Sequence, residues 1–185
     1  MGEQHKKHNR REHLNDFHLN VAGEYVYDGA LYACRNDDAK QRRSKRAVWG
    51  MAAILIVAVI AGGCIPAPGM QNCFYVLLPY LGEFMGAASV IWALAKLGMD
   101  WGTVREYNYK KSVAVLPMRT AVTAVFSGLG IVCELIFFFV NDHAGQTFFA
   151  LLYVLLKLTA LLSALVLRAE IMQAEWDKLP KKNNF

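Results

Sequence analysis

Three ionisable residues stand inside long apolar runs of this chain: Glu83 within Cys73–Ala95, Glu134 within Leu116–Val140 and Lys157 within Thr147–Leu167. A charge at the middle of a bilayer is costly. Such residues turn towards the protein interior, pair with one another or line a pathway for ions. Two kinds of chemistry suit this set. One is an internal ion-pair cluster that fixes helix packing. The other is an acid–base site that binds a proton, a cation or a charged group of a partner. The stem of Lys157 extends only about one helical turn, too little to reach either interface from mid-depth. Its ammonium must turn inward. Glu83 and Lys157 lie at similar distances from the outer ends of their runs, so Glu83 is the expected partner. Glu134 lies about 5 Å nearer the outside, at 1.5 Å of rise per residue, and is the second choice.

Other reactive residues support less. Cys64 and Cys73 flank the Pro- and Gly-containing segment CIPAPGMQNC on one side of the bilayer. They are read either as a disulfide, restraining the turn by about 2–3 kcal/mol in the loop-entropy picture, or as free thiols. Their spacing is not the C-x-x-C of a catalytic redox pair. His5, His8, His13 and His18 fit no compact ligand set, and Asp142 beside His143 reads as a polar turn. No Ser/His/Asp set, metal cluster or phosphate-binding loop is evident, so the sequence names no catalytic residue, metal or cofactor.

The elements that position these groups are four apolar blocks: Ala47–Gly63, Cys73–Ala95, Leu116–Val140 and Thr147–Leu167. Each is long enough to cross a hydrocarbon core of about 30 Å as a helix, which takes roughly 20 residues, the first being near the lower limit. The chain is 55% hydrophobic, with a mean hydropathy of +0.24. The fold class expected is an all-α integral membrane protein. It is a four-helix transmembrane bundle spanning residues 47–168, preceded by a polar and basic arm (1–46) and followed by a tail (169–185).

Charge placement sets the orientation. Lys and Arg crowd the arm, the segment Lys96–Arg119 and the tail, and are missing from Cys64–Asn72 and Asn141–Gln146. The positive-inside rule puts both termini and the middle loop in the cytoplasm. A plasma membrane with an anionic inner leaflet is the expected setting, and nucleic acid is not. Leu14, Phe17, Val21, Tyr25 and Tyr32 recur at helical spacing and predict an amphipathic cytoplasmic helix on the inner membrane surface, or a docking face for a partner. The loop Lys96–Val115 predicts a short interfacial helix or a pair of turns.

Small residues predict where the spans touch. Gly82, Gly86, Ser89 and Ala93 share one face of the second span, and Ala121, Ala124 and Gly128 one face of the third. Shifting the chain by 74 places lays Cys73-Phe-Tyr-Val-Leu-Leu over Thr147-Phe-Phe-Ala-Leu-Leu and Glu83 over Lys157. The leading functional expectation is a non-enzymatic accessory subunit that binds a membrane-protein partner or a second copy of itself. The alternative is a small proton- or cation-coupled transporter or channel using Glu83 and Glu134.

Overall fold

The computed structural model describes residues 17–19, 25–27, 29–35, 37–98, 101–141 and 147–179. Four long helices dominate it: α1 (Asp38–Cys64), α3 (Phe74–Leu97), α5 (Leu116–Val140) and α6 (Thr147–Gln173). The short helices α2 (Pro68–Asn72) and α4 (Glu106–Lys111) lie between them. All four long helices fall in segments long and apolar enough to cross a membrane. α1 starts well before Ala47, because the charged run after Asp37 belongs to the same helix as the apolar block. Pro79 sits inside α3 without ending it.

The helices form a ring. α3 packs on α5, α5 on α6 and α6 on α1, and a narrower contact between α1 and α3 closes it. Two apolar layers fill the interior. At the end carrying the basic segments, Val48, Ala52, Val90, Leu94, Leu116 and Leu167 pack with Trp101 and Val104. At mid-length, Leu55, Val59, Ala87, Ala124, Ala160 and Ala164 form a second layer. Its alanines let the backbones approach closely.

The amino-terminal segment differs from the helix expected of it. Phe17–Leu19 and Tyr25–Tyr27 pair as an antiparallel hairpin, β1 and β2. Leu31–Cys34 forms β3, the middle strand of a three-stranded sheet between β4 (Thr103–Arg105) and β5 (Trp176–Lys178). Tyr, Val and Leu suit strands, and Gly23 and Gly29 punctuate the run, which weakens a helix there. The expected short helix of the middle loop is α4, with β4 ahead of it.

The sheet draws together the segment before α1, the loop between α3 and α5, and the segment after α6. Main-chain bonds from Arg35 N to Glu175 O (2.9 Å), Leu179 N to Leu31 O (2.8 Å) and Glu106 N to Ala30 O (3.0 Å) extend it. Aromatic rings fasten it. Tyr32 stacks on Tyr109 at 4.1 Å between centroids, and Trp176 lies 6.2 Å from Trp101 and 5.9 Å from Tyr109. Ser44 Oγ of α1 donates to Glu170 Oε2 of α6 at 3.0 Å, joining the two terminal helices at this end.

Candidate functional site

A polar centre lies between the alanine layer and the end of the bundle that carries α2. Each long helix contributes to it, with residues spaced three or four apart so that they share one face. α3 brings Tyr80 and Glu83; α6 brings Tyr153 and Lys157. α5 presents a buried stripe of Thr120, Thr123, Ser127, Gly130 and Glu134. α1 ends there on Gly62 and Gly63.

Glu83 and Lys157 meet at the centre. Lys157 Nζ donates to Glu83 Oε2. Ser127 Oγ donates to Glu83 Oε1 at 2.6 Å, so both carboxylate oxygens are engaged. The side chains of Glu83 and Lys157 are 0% and 2% exposed, which makes this a buried pair. Its desolvation cost is offset only by good geometry and further hydrogen bonds. The Ser127 hydroxyl supplies such a bond, and two aromatic rings add to it. Lys157 Nζ lies 4.6 Å from the centroid of Tyr80 and 5.1 Å from that of Tyr153. Cation–π contacts contribute about 0.5–2 kcal/mol each, more as the site dries.

Glycines make room for this cage. A Cβ on Gly63 would overlap the Tyr80 hydroxyl, and one on Gly62 would meet the Tyr153 ring at 3.9 Å. A Cβ on Gly130 would lie 3.5 Å from Lys157 Cε, so the lysine stem runs along the α5 backbone at that point.

Glu134 is placed differently. It lies one turn beyond Gly130 on the same face of α5, fully buried, and neither carboxylate oxygen has a hydrogen-bond partner. A Cβ on Gly69 of α2 would overlap its Oε2, so α2 is seated directly over the carboxyl group. Tyr153 Oη, also buried, has no hydrogen-bond partner either. The charge count at the centre is therefore uneven. Glu83 and Lys157 cancel, and a charge on Glu134 would face only the Gly69 main-chain N–H and the Lys157 ammonium already paired with Glu83. A buried carboxylate without a partner is stable only as the neutral acid or with a cation bound.

The remaining sequence candidates fall as follows. Gly82 and Gly86 lie where α3 meets α5. A Cβ on Gly82 would come within 2.5 Å of the Phe126 ring, and one on Gly86 within 2.6 Å of Thr123 Oγ1 and 3.3 Å of its Cα. Ser89 Oγ donates to Gly86 O at 2.8 Å, and the Ser89 carbonyl accepts from Arg119 at 2.7 Å. Ala93 is buried in the apolar layer at the basic end. Gly128 does not serve the packing expected of it. A Cβ there would meet nothing within 4 Å, because Gly130, two positions on, occupies the inward face. Cys64 and Cys73 are free thiols, as are Cys34 and Cys133. Among the described residues, no three His, Cys, Asp or Glu side chains converge to hold a metal. His5, His8, His13, Asp142 and His143 lie outside the described residues, as does the side chain of His18.

Sequence reasoning missed Tyr80, Tyr153, Ser127, Gly130 and the role of Gly62–Gly63. Spacing held the signal. Tyr80 precedes Glu83 by three residues and Tyr153 precedes Lys157 by four, which puts each ring on the face of its charge. Comparison with known protein families, characterised proteins and solved structures finds no match for this chain.

Proposed function

We propose that this chain is a small transporter of the plasma membrane, with both termini cytoplasmic, that couples substrate movement to a proton or monovalent cation taken up at Glu134. The observation that carries this reading is the buried, unpartnered carboxyl of Glu134 beside a complete Glu83–Lys157–Ser127 network. The network is the fixed framework, and Glu134 is the group with a vacancy for one positive charge. α2, lying over Glu134, is the barrier between this site and the outer side.

Two experiments test it. Infrared spectra of the purified protein at neutral pH are expected to contain the C=O stretch of a protonated, apolar-environment carboxyl group, absent from Glu134→Gln. Proteoliposomes under an imposed pH gradient are expected to move protons, with the flux lost in the same variant. An unchanged infrared band together with unchanged flux in Glu134→Gln would sink the reading.

Orientation has its own test. The Lys and Arg excess of the arm, middle loop and tail supports a cytoplasmic basic end, and the sheet holds those three segments at one end of the bundle. Cys34 in β3 is expected to react with an impermeant thiol reagent only in opened or inverted membranes. Labelling of Cys34 in intact cells would reverse the topology.

A second reading, an accessory subunit bound to a membrane partner or to another copy, is supported by two glycines on the outside of the bundle. A Cβ on Gly50 of α1 or Gly128 of α5 would meet nothing within 4 Å, and outward small residues suit close helix contact in lipid. A stoichiometric partner on purification from native membrane, without proton movement by the isolated chain, would favour it.

A further inference from the structure

The Lys157 ammonium occupies a cage whose parts have a specificity of their own. Two tyrosine rings lie within 5.1 Å of the nitrogen, the Glu83 carboxylate accepts a hydrogen bond from it, and Gly130 lies along its aliphatic stem. Aromatic faces with a carboxylate are the chemistry by which proteins recognise organic ammonium ions. Lys157 is in effect a tethered ligand in that site. Its tether also gives it somewhere else to go. Glu134 lies one turn further along α5 than Gly130, roughly 6 Å by helical rise. That is within the swing of a lysine stem, and no side chain among the described residues donates to its oxygens, which face only the Gly69 main chain.

We infer that the cage is a binding site for primary alkylammonium ions, and that the entering cation displaces Lys157 onto Glu134, which releases its proton. This rests on the reading of Glu134 as the protonated group and names the substrate class that exchanges with it. The exchange balances. Before binding, Glu83⁻ and Lys157⁺ cancel, and Glu134 is neutral. Afterwards Glu83⁻ holds the ligand's ammonium, Lys157⁺ holds Glu134⁻, and one proton has left to solvent. The core carries zero net charge in both states, no covalent bond changes, and one cation enters for each proton that leaves.

Among the described residues, the titratable groups around this exchange are few. α3 supplies Tyr80 and Glu83, α5 Cys133 and Glu134, and α6 Tyr153 and Lys157. α1 brings Cys64 near Tyr80. α2 has no titratable side chain, and Cys73 and Tyr75 follow it near Glu134. In the exchange only Glu134 changes its charge; free thiols and phenols ordinarily titrate in alkali.

Calorimetry of n-butylammonium chloride binding to the purified full-length protein tests the inference. Titration in two buffers of different ionisation enthalpy reports protons released. The parent is expected to release one proton per ammonium bound. Glu134→Gln, which leaves the displaced Lys157 without a carboxylate to hold, should bind at least tenfold more weakly than the parent, and Tyr80→Leu should bind about tenfold more weakly, having lost one ring. Lys157→Met, with the tethered competitor removed, should bind more tightly, the proton it releases coming from the stranded Glu83. Failure of n-butylammonium to bind either the parent or Lys157→Met would overturn the cage as a site. Binding to the parent without proton release would overturn the exchange, while the infrared band of Glu134 would still stand or fall separately. The parent titration needs no variant, so a variant that fails to fold leaves the decision intact.

Discussion

Lys157→Met alone is expected to lower the stability of the purified protein by about 3–5 kcal/mol, the usual cost of stranding one member of a buried pair. The stranded group is Glu83, which keeps the Ser127 hydroxyl but loses the one cation that pairs with it among the described residues. Adding Glu83→Gln to Lys157→Met should restore most of the loss, because the double variant buries no unpaired charge. Unfolding midpoints in one detergent, for the parent, both single variants and the double variant, give the coupling directly. Equal destabilisation by the double and by the sum of the singles would mean that the two side chains do not interact.

The second large effect is expected at the meeting of α3 and α5. Gly86→Leu forces a side chain against Thr123, whose Cα would lie 3.3 Å from the new Cβ. A backbone atom cannot step aside as a side chain can, so the helices must separate. Overpacking of this kind costs typically 1–3 kcal/mol. Separation would also pull Ser127 away from Glu83, so the penalty should exceed that of steric strain alone. Gly128→Leu on the same helix pair is the control. It points into open space and should change stability by no more than about 0.5 kcal/mol, as surface substitutions do. Equal midpoints for the two variants would show that the α3–α5 approach does not depend on Gly86.

The contrast between those two glycines shows what the sequence could and could not convey. The spans were legible because an apolar run of about 20 residues is a property of composition. The meeting of Glu83 and Lys157 was legible because depth follows from counting residues along two helices. Facing direction was harder to read. Ala121, Ala124 and Gly128 satisfy a small-residue pattern as well as Thr120, Thr123, Ser127 and Gly130 satisfy a polar one, and only packing decides which face turns inward. The amino-terminal segment was misread for a different reason. Leu14, Phe17, Val21, Tyr25 and Tyr32 have spacings that suit a helix, but β3 pairs with Thr103–Arg105 and Trp176–Lys178, far away in sequence. Local spacing carries no trace of such pairings. The cage around Lys157 was hidden because it combines residues from four helices, of which the sequence marked only the charged ones.

The sheet at the basic end has a mechanical consequence. β3 leads into α1, β4 lies between α3 and α5, and β5 follows α6, so every long helix is held at that end by a strand it shares with the others. At the opposite end, the link between α1 and α3 contains only the five-residue α2. The molecule is thus built like a pair of tweezers with a welded handle, stiff where its strands cross-link it and compliant at the tips. Any rearrangement that exposes the polar centre costs least if the tips splay on the α2 side while the handle acts as the pivot. The same joint makes the two ends of the chain dependent on each other: cutting away the strand after α6 would loosen the anchorage of α1, although the two are at opposite ends of the sequence.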